Sequence, residues 1–181
     1  MTIESTTPSA LSRQARQAYQ EKRLEDAILK FDAAKKLYIQ ENNVLLAAEM
    51  ANNLCVVLLK ADRPDEALKS VEGTPDLFLE NGDEKAAAMA YGNLASALEA
   101  CGNFKEAEVA LQQASDRFQS LGEEDLLLHT QRSLSQLQLR QGRAFEALSS
   151  MQSGLEHQKK PGLKNRFLRS LFKIPYRLLN R

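Results

Sequence analysis

Tryptophan is absent from this chain, glycine and proline number only eight and five, and there are two cysteines and two histidines in 181 residues. Each shortage excludes something. Two cysteines, Cys55 and Cys101, cannot build a disulfide framework and point to a reducing compartment. Neither His129 nor His157 has a second metal ligand four residues away, so neither starts a zinc site. There is no glycine-rich phosphate loop, no nucleophile elbow and no CxxC pair. No apolar run approaches the roughly 18 residues that cross a bilayer. The polar start, Met1–Pro8, lacks the basic-then-apolar order of a secretory signal. No stretch alternates as a half-buried strand does. The reading is an all-α, cytoplasmic chain that is not an enzyme and needs no metal or cofactor.

What the chain does have is a repeat. Ala27, Ala67, Ala107 and Ala147 stand at intervals of 40 residues. An acid precedes each one (Asp26, Glu66, Glu106, Glu146), and an apolar side chain follows four residues later (Phe31, Val71, Leu111, Met151). Three copies carry an aromatic eleven residues on, at Tyr38, Phe78 and Phe118. Thirteen residues before the alanine stand Gln14, Leu54, Leu94 and Leu134, and twelve before it a small residue: Ala15, Cys55, Ala95 or Ser135. A spacing of four keeps two residues on one helix face. Facing small residues let two helix backbones approach closely. Each copy therefore reads as two antiparallel helices. Gly, Asn and Pro positions punctuate them near Lys22, Asn42, Asp62–Pro64, Gly82, Gly102, Gly122 and Gly142.

The pattern resembles the tetratricopeptide repeat over roughly residues 9–157. The standard unit is about 34 residues; the 40 here is similar to the longer variant of kinesin light chain and related cargo adaptors. The Asn53-Leu54 and Asn93-Leu94 pairs also resemble that variant. The resemblance implies an α-solenoid of four antiparallel helix pairs followed by a C-terminal amphipathic helix. The expected division is a flexible start at 1–8, repeats at about 9–41, 44–81, 83–121 and 123–157, and a basic segment at 158–181. It also implies a scaffold or adaptor binding a protein or extended peptide in a concave groove. One copy breaks its own pattern at Gly73-Thr74-Pro75. Thr74 is expected to cap a new helix with Pro75 in its first turn. The break either shapes a groove or is an irregularity on the outer face.

First helices should line the groove. One turn-related set is Arg13, Asn53, Asn93 and Ser133; another is Arg16, Val56, Ser96 and Gln136; Ser12, Asn52, Gly92 and Arg132 lie beside them. An asparagine amide has both donor and acceptor and can pair with any peptide backbone. The cargo-adaptor resemblance implies that role for Asn53 and Asn93, with Asn52 alongside. Arg13, Arg16 and Arg132 are expected to hold acidic partner side chains. The chaperone-binding relatives have a lysine in a first-repeat carboxylate clamp. Ser12 and Arg16 stand at those positions here, which argues against recognition of a free carboxy terminus.

A formal charge of zero hides a split. Residues 159–181 hold eight Lys or Arg and no acid, leaving 16 bases against 24 acids in residues 1–158, a net of −8. Within the tail, Leu163, Phe167, Leu168, Leu171, Phe172 and Ile174 share one half of a helical wheel, and Arg166, Arg169 and Lys173 the other; Lys164 is the exception. Pro175 interrupts, and Tyr176, Arg177, Leu178 and Leu179 follow. This basic amphipathic segment either caps the last repeat or contacts an anionic membrane or a partner through Arg166, Phe167, Arg169, Leu171, Phe172, Lys173 and Arg177. Nucleic acid is disfavoured because the body is acidic.

Overall fold

The computed structural model describes residues 7–158 and 162–172, and tight turns separate its helices. The described residues form two compact units that divide after Ala110.

The turns recur with a finer period than the repeat. A residue in the left-handed region stands every 20 positions, at Lys22, Asn42, Asp62, Gly82, Gly102, Gly122 and Gly142, with φ between 56° and 82°. Each turn reverses the chain and then hydrogen-bonds back onto the helix it ends. Examples are Arg23 N donating to Ala18 O at 2.8 Å, Asp83 N to Phe78 O at 2.9 Å and Asn103 N to Leu98 O at 2.8 Å. These six-to-one bonds satisfy helix carbonyls that would otherwise lack a partner. Two of the helices that follow, Val44–Lys60 and Glu84–Ala100, start under a side-chain cap. Asn43 Oδ1 accepts from Leu46 N at 3.2 Å, and Asp83 Oδ1 from Ala86 N at 2.9 Å. The acid before the repeat alanine finds a use at the same place in three of the four copies. Arg23 pairs with Asp26, Arg63 with Glu66 and Arg143 with Glu146 across one helical turn. The hydrogen bond from Arg63 holds the Glu66 carboxyl below its ordinary value. Such exposed pairs are screened by solvent and contribute little to stability.

In the first unit, α1 (Pro8–Gln20) pairs with α2 (Leu24–Gln40), and α2 packs on α3 (Val44–Lys60). α3 pairs in turn with α4 (Pro64–Val71) and α5 (Thr74–Glu80), and all three pack on α6 (Glu84–Ala100). α7 (Phe104–Leu121) begins here and continues into the second unit. There α8 (Glu124–Arg140) pairs with α9 (Ala144–Glu156), and α10 (Leu163–Phe172) packs on α9. Sequence neighbours are spatial neighbours within each unit, as a helical-repeat array requires. The expected rows are inside. Ala27, Ala67, Ala107 and Ala147 are at most 1% exposed, and the small column Ala15, Cys55, Ala95 and Ser135 is buried with them. The aromatics Tyr38, Phe78 and Phe118 are buried as well. Met151, the fourth member of the apolar column, is only half-buried.

The break in the second repeat falls where the sequence placed it, but Thr74 does not cap α5. Gly73, at φ +76°, is the N-cap, and having no side chain it supplies no capping bond. The left-handed glycine turns the chain so that Thr74, 7% exposed, points back over the end of α4. Its hydroxyl donates to Val71 O at 2.9 Å, satisfying a terminal carbonyl of α4. Pro75 sits in the first turn of α5, as expected. The break borders an open apolar pocket of about 340 Å³ whose lining includes Ala47, Ala48 and Ala51.

Candidate functional site

α3 and α6 lie side by side in the first unit, and a second pocket of about 430 Å³ opens along them. Three of the six residues predicted to bind a peptide meet there: Asn52 and Asn53 from α3, and Asn93 from α6. Their amides are arranged in series. Asn52 Oδ1 accepts from Asn93 Nδ2 at 3.3 Å, and the Thr74 hydroxyl, whose proton goes to Val71 O, lies 3.5 Å from the same oxygen. The amide–amide bond uses the acceptor of Asn52 and one donor of Asn93. An amide has two donor hydrogens and an acceptor oxygen, so the three asparagines that line the pocket keep hydrogen-bonding capacity to spend. The bond linking the helices runs from Asn93 to Asn52, not to its register mate Asn53. Beneath the amides, Cys55 lies buried with its thiol 3.8 Å from Asn93 O. Burial pushes that thiol up to about 12, so it packs as a small apolar group rather than acting as a nucleophile.

The rest of the wall was not foreseen. Leu45, Leu46, Phe78 and Met89 add apolar lining, and Glu49 and Asp83 add two acids. A signal was available: Glu49 precedes Asn53 by four residues and Met89 precedes Asn93 by four, so each pair shares a helix face.

The predicted arginines do not join the asparagines. Arg16 lies on α1 with Nη1 3.8 Å from Glu49 Oε1, an ion pair at the pocket's rim in which both side chains are half exposed. Arg13 is exposed on α1. Arg132 belongs to the second unit, where its Nη2 donates to Asn165 Oδ1 of α10 at 3.2 Å. Asn165 Nδ2 donates in turn to Gln158 Oε1 at 2.7 Å. α10 is thus held through a polar side chain. Its apolar members Leu163 and Phe167 face water, 84% and 64% exposed, and Arg166 is exposed beside them. Arg169, Leu171 and Phe172 belong to α10, but their side chains lie outside the described residues, as do Lys173 and Arg177 altogether. Among the described residues, no three or more His, Cys, Asp or Glu side chains are placed to hold a metal, and no helix is long and apolar enough to cross a membrane.

Residues 86–160 match the tetratricopeptide repeat family. None of the curated proteins matches the chain in sequence. Solved structures share its fold. Apo RapI superposes with a TM-score of 0.74 at 14% identity, over 88% of this chain and 45% of RapI. A putative kinesin light chain of Podosopora anserina, with nearly identical TPR-like repeats, gives 0.70 at 16% identity, over 82% and 73%. A Rap protein complexed with competence and sporulation factor gives 0.68 at 16%, over 87% and 45%. This chain therefore spans less than half the length of either Rap protein.

Proposed function

We propose that this chain, whose residues 86–160 are of the tetratricopeptide repeat family, is a non-enzymatic scaffold or adaptor that holds an extended segment of a protein partner along α3 and α6. Assembly or recruitment of other proteins would be its task. The observation that carries this reading is the clustering of Asn52, Asn53 and Asn93 in one pocket with amide donors and acceptors left over. A peptide backbone offers the complementary groups at every residue, so recognition there would depend little on sequence. The Rap structure with a bound factor supports the idea that such a fold can hold a partner.

The test is Asn53→Ala combined with Asn93→Ala. Each lost hydrogen bond is worth about 0.5–1.5 kcal/mol, so a captured partner should bind about tenfold more weakly while helical content stays the same. Unchanged affinity would remove the asparagines from the site.

A second reading is favoured by the exposure of Leu163 and Phe167 beside Arg166 on α10. An apolar strip flanked by bases suits the boundary of an anionic membrane, at about 1 kcal/mol for each basic residue near the surface. Full-length chain carrying Leu163→Ser and Phe167→Ser should then lose flotation with phosphatidylserine vesicles. Undiminished flotation of that variant would dismiss α10 as the anchor.

A further inference from the structure

The pocket along α3 and α6 has a sign. Its lining includes two acids, Glu49 and Asp83, and no base. Arg16, which pairs with Glu49, approaches it only to 3.8 Å, and both partners are half exposed to water. An exposed pair at that separation is weak and exchangeable. The surrounding body adds to the field, since residues 1–158 carry 24 acids against 16 bases. Of the three arginines read from the sequence as receivers of acidic side chains, Arg132 is spent on Asn165 and Arg16 competes for the pocket's own acid, while Arg13 is exposed on α1.

The spacing along α3 adds a register. Glu49 and Asn53 are four residues apart on one helix face, about 6 Å of helix rise. An extended peptide advances about 3.3 Å per residue. A chain whose backbone meets Asn53 and Asn93 therefore brings the side chain about two residues away over Glu49. Met89, Leu45 and Phe78 give the same pocket an apolar lining. Met89 is half exposed with its thioether available, an adaptable surface for an aliphatic side chain.

We propose that this pocket selects extended peptides bearing a lysine or arginine about two residues from the backbone-contacting position and an aliphatic residue beside it, with Glu49 receiving the cation. Arg16 acts as an internal competitor that the incoming cation displaces. The inference rests on the peptide-binding reading above and adds the charge and spacing of the ligand.

The experiment selects binders for the full-length chain from a displayed library of random peptides and measures the best of them by fluorescence polarisation. Selected peptides should be enriched in Lys or Arg near Leu or Met. Glu49→Gln should weaken them about fivefold, and Arg16→Ala should tighten them about two- to threefold, both effects shrinking as salt is raised. Both residues are exposed, so circular dichroism should show neither change disturbing the helices. If Glu49→Gln is without effect while Asn53→Ala with Asn93→Ala weakens binding, the charge selection is wrong and the backbone-binding site stands. Acid-rich peptides that are lost on Arg16→Ala would likewise overturn it, restoring a basic recognition site. If the asparagine pair is also without effect, or no peptide is enriched, both readings fall together.

Discussion

Phe31→Ala should lower the unfolding free energy by about 3–5 kcal/mol, whereas Leu29→Ala, two residues away on the same helix, should change it by less than about 0.5 kcal/mol. The contrast follows from the 40-residue register. Phe31 follows the repeat alanine Ala27 by four residues and is 2% exposed in the core that α1, α2 and α3 share. Around it stand Ala15, Ala18, Ala27 and Ala34, with Met50 and Leu54 from α3 in the same cluster. Alanines have no side-chain freedom with which to fill a hole, so the space left by the ring would stay largely empty. Loss of transfer free energy and creation of a cavity then add. Leu29 is 69% exposed and loses almost nothing on truncation. Urea denaturation followed by circular dichroism measures both. Equal midpoints for the two variants would mean that the repeat columns do not mark the core.

The second large effect reverses a general rule. Alanine is favoured over glycine inside a helix by about 1 kcal/mol. Gly92→Ala on α6 should show that gain, because a Cβ there would meet nothing within 4 Å. Gly154→Ala on α9 should instead destabilise by about 1–3 kcal/mol, as overpacking does. Its Cβ would stand 2.8 Å from Gln131 Cβ and 3.2 Å from Leu128 Cδ1 on α8. A Cβ is fixed to its backbone, so Gln131 cannot swing aside and the two helices must separate. Gln131 is also buried and donates to Ser115 Oγ of α7 at 2.7 Å, a bond that any shift would strain. Thermal melts of the two glycine variants should therefore move in opposite directions. A higher melting temperature for Gly154→Ala would refute the close approach of α8 and α9.

How much of this was legible beforehand depended on whether a feature is periodic. The alanine, small-residue and aromatic rows were readable because a helix places residues three and four apart on one face, so a recurring spacing names a recurring surface. The helix ends were readable for a related reason: a left-handed turn selects Gly, Asn or Asp, and four of the seven such positions carry glycine. Lys22 is the exception, a residue that offers no conformational hint of its own. The role of Thr74 was misjudged because capping was inferred from residue type alone. The direction of its hydroxyl was set by the positive φ of Gly73 before it. At the pocket, Asn52, Asn53 and Asn93 were found from the register, while Glu49, Asp83 and Phe78 were missed because each comes from a different repeat column.

The sequence by itself determined a 40-residue helical hairpin repeat, where its helices stop and which rows are buried, because all three follow from contacts within one or two turns of chain. Only the tertiary structure decided which polar groups meet: Arg16 with Glu49, Asn93 with Asn52, and Arg132 with Asn165. Those pairs depend on how far each helix is rotated and slid against the next. That rotation is set by the packing of buried rows, and no spacing along the chain encodes it.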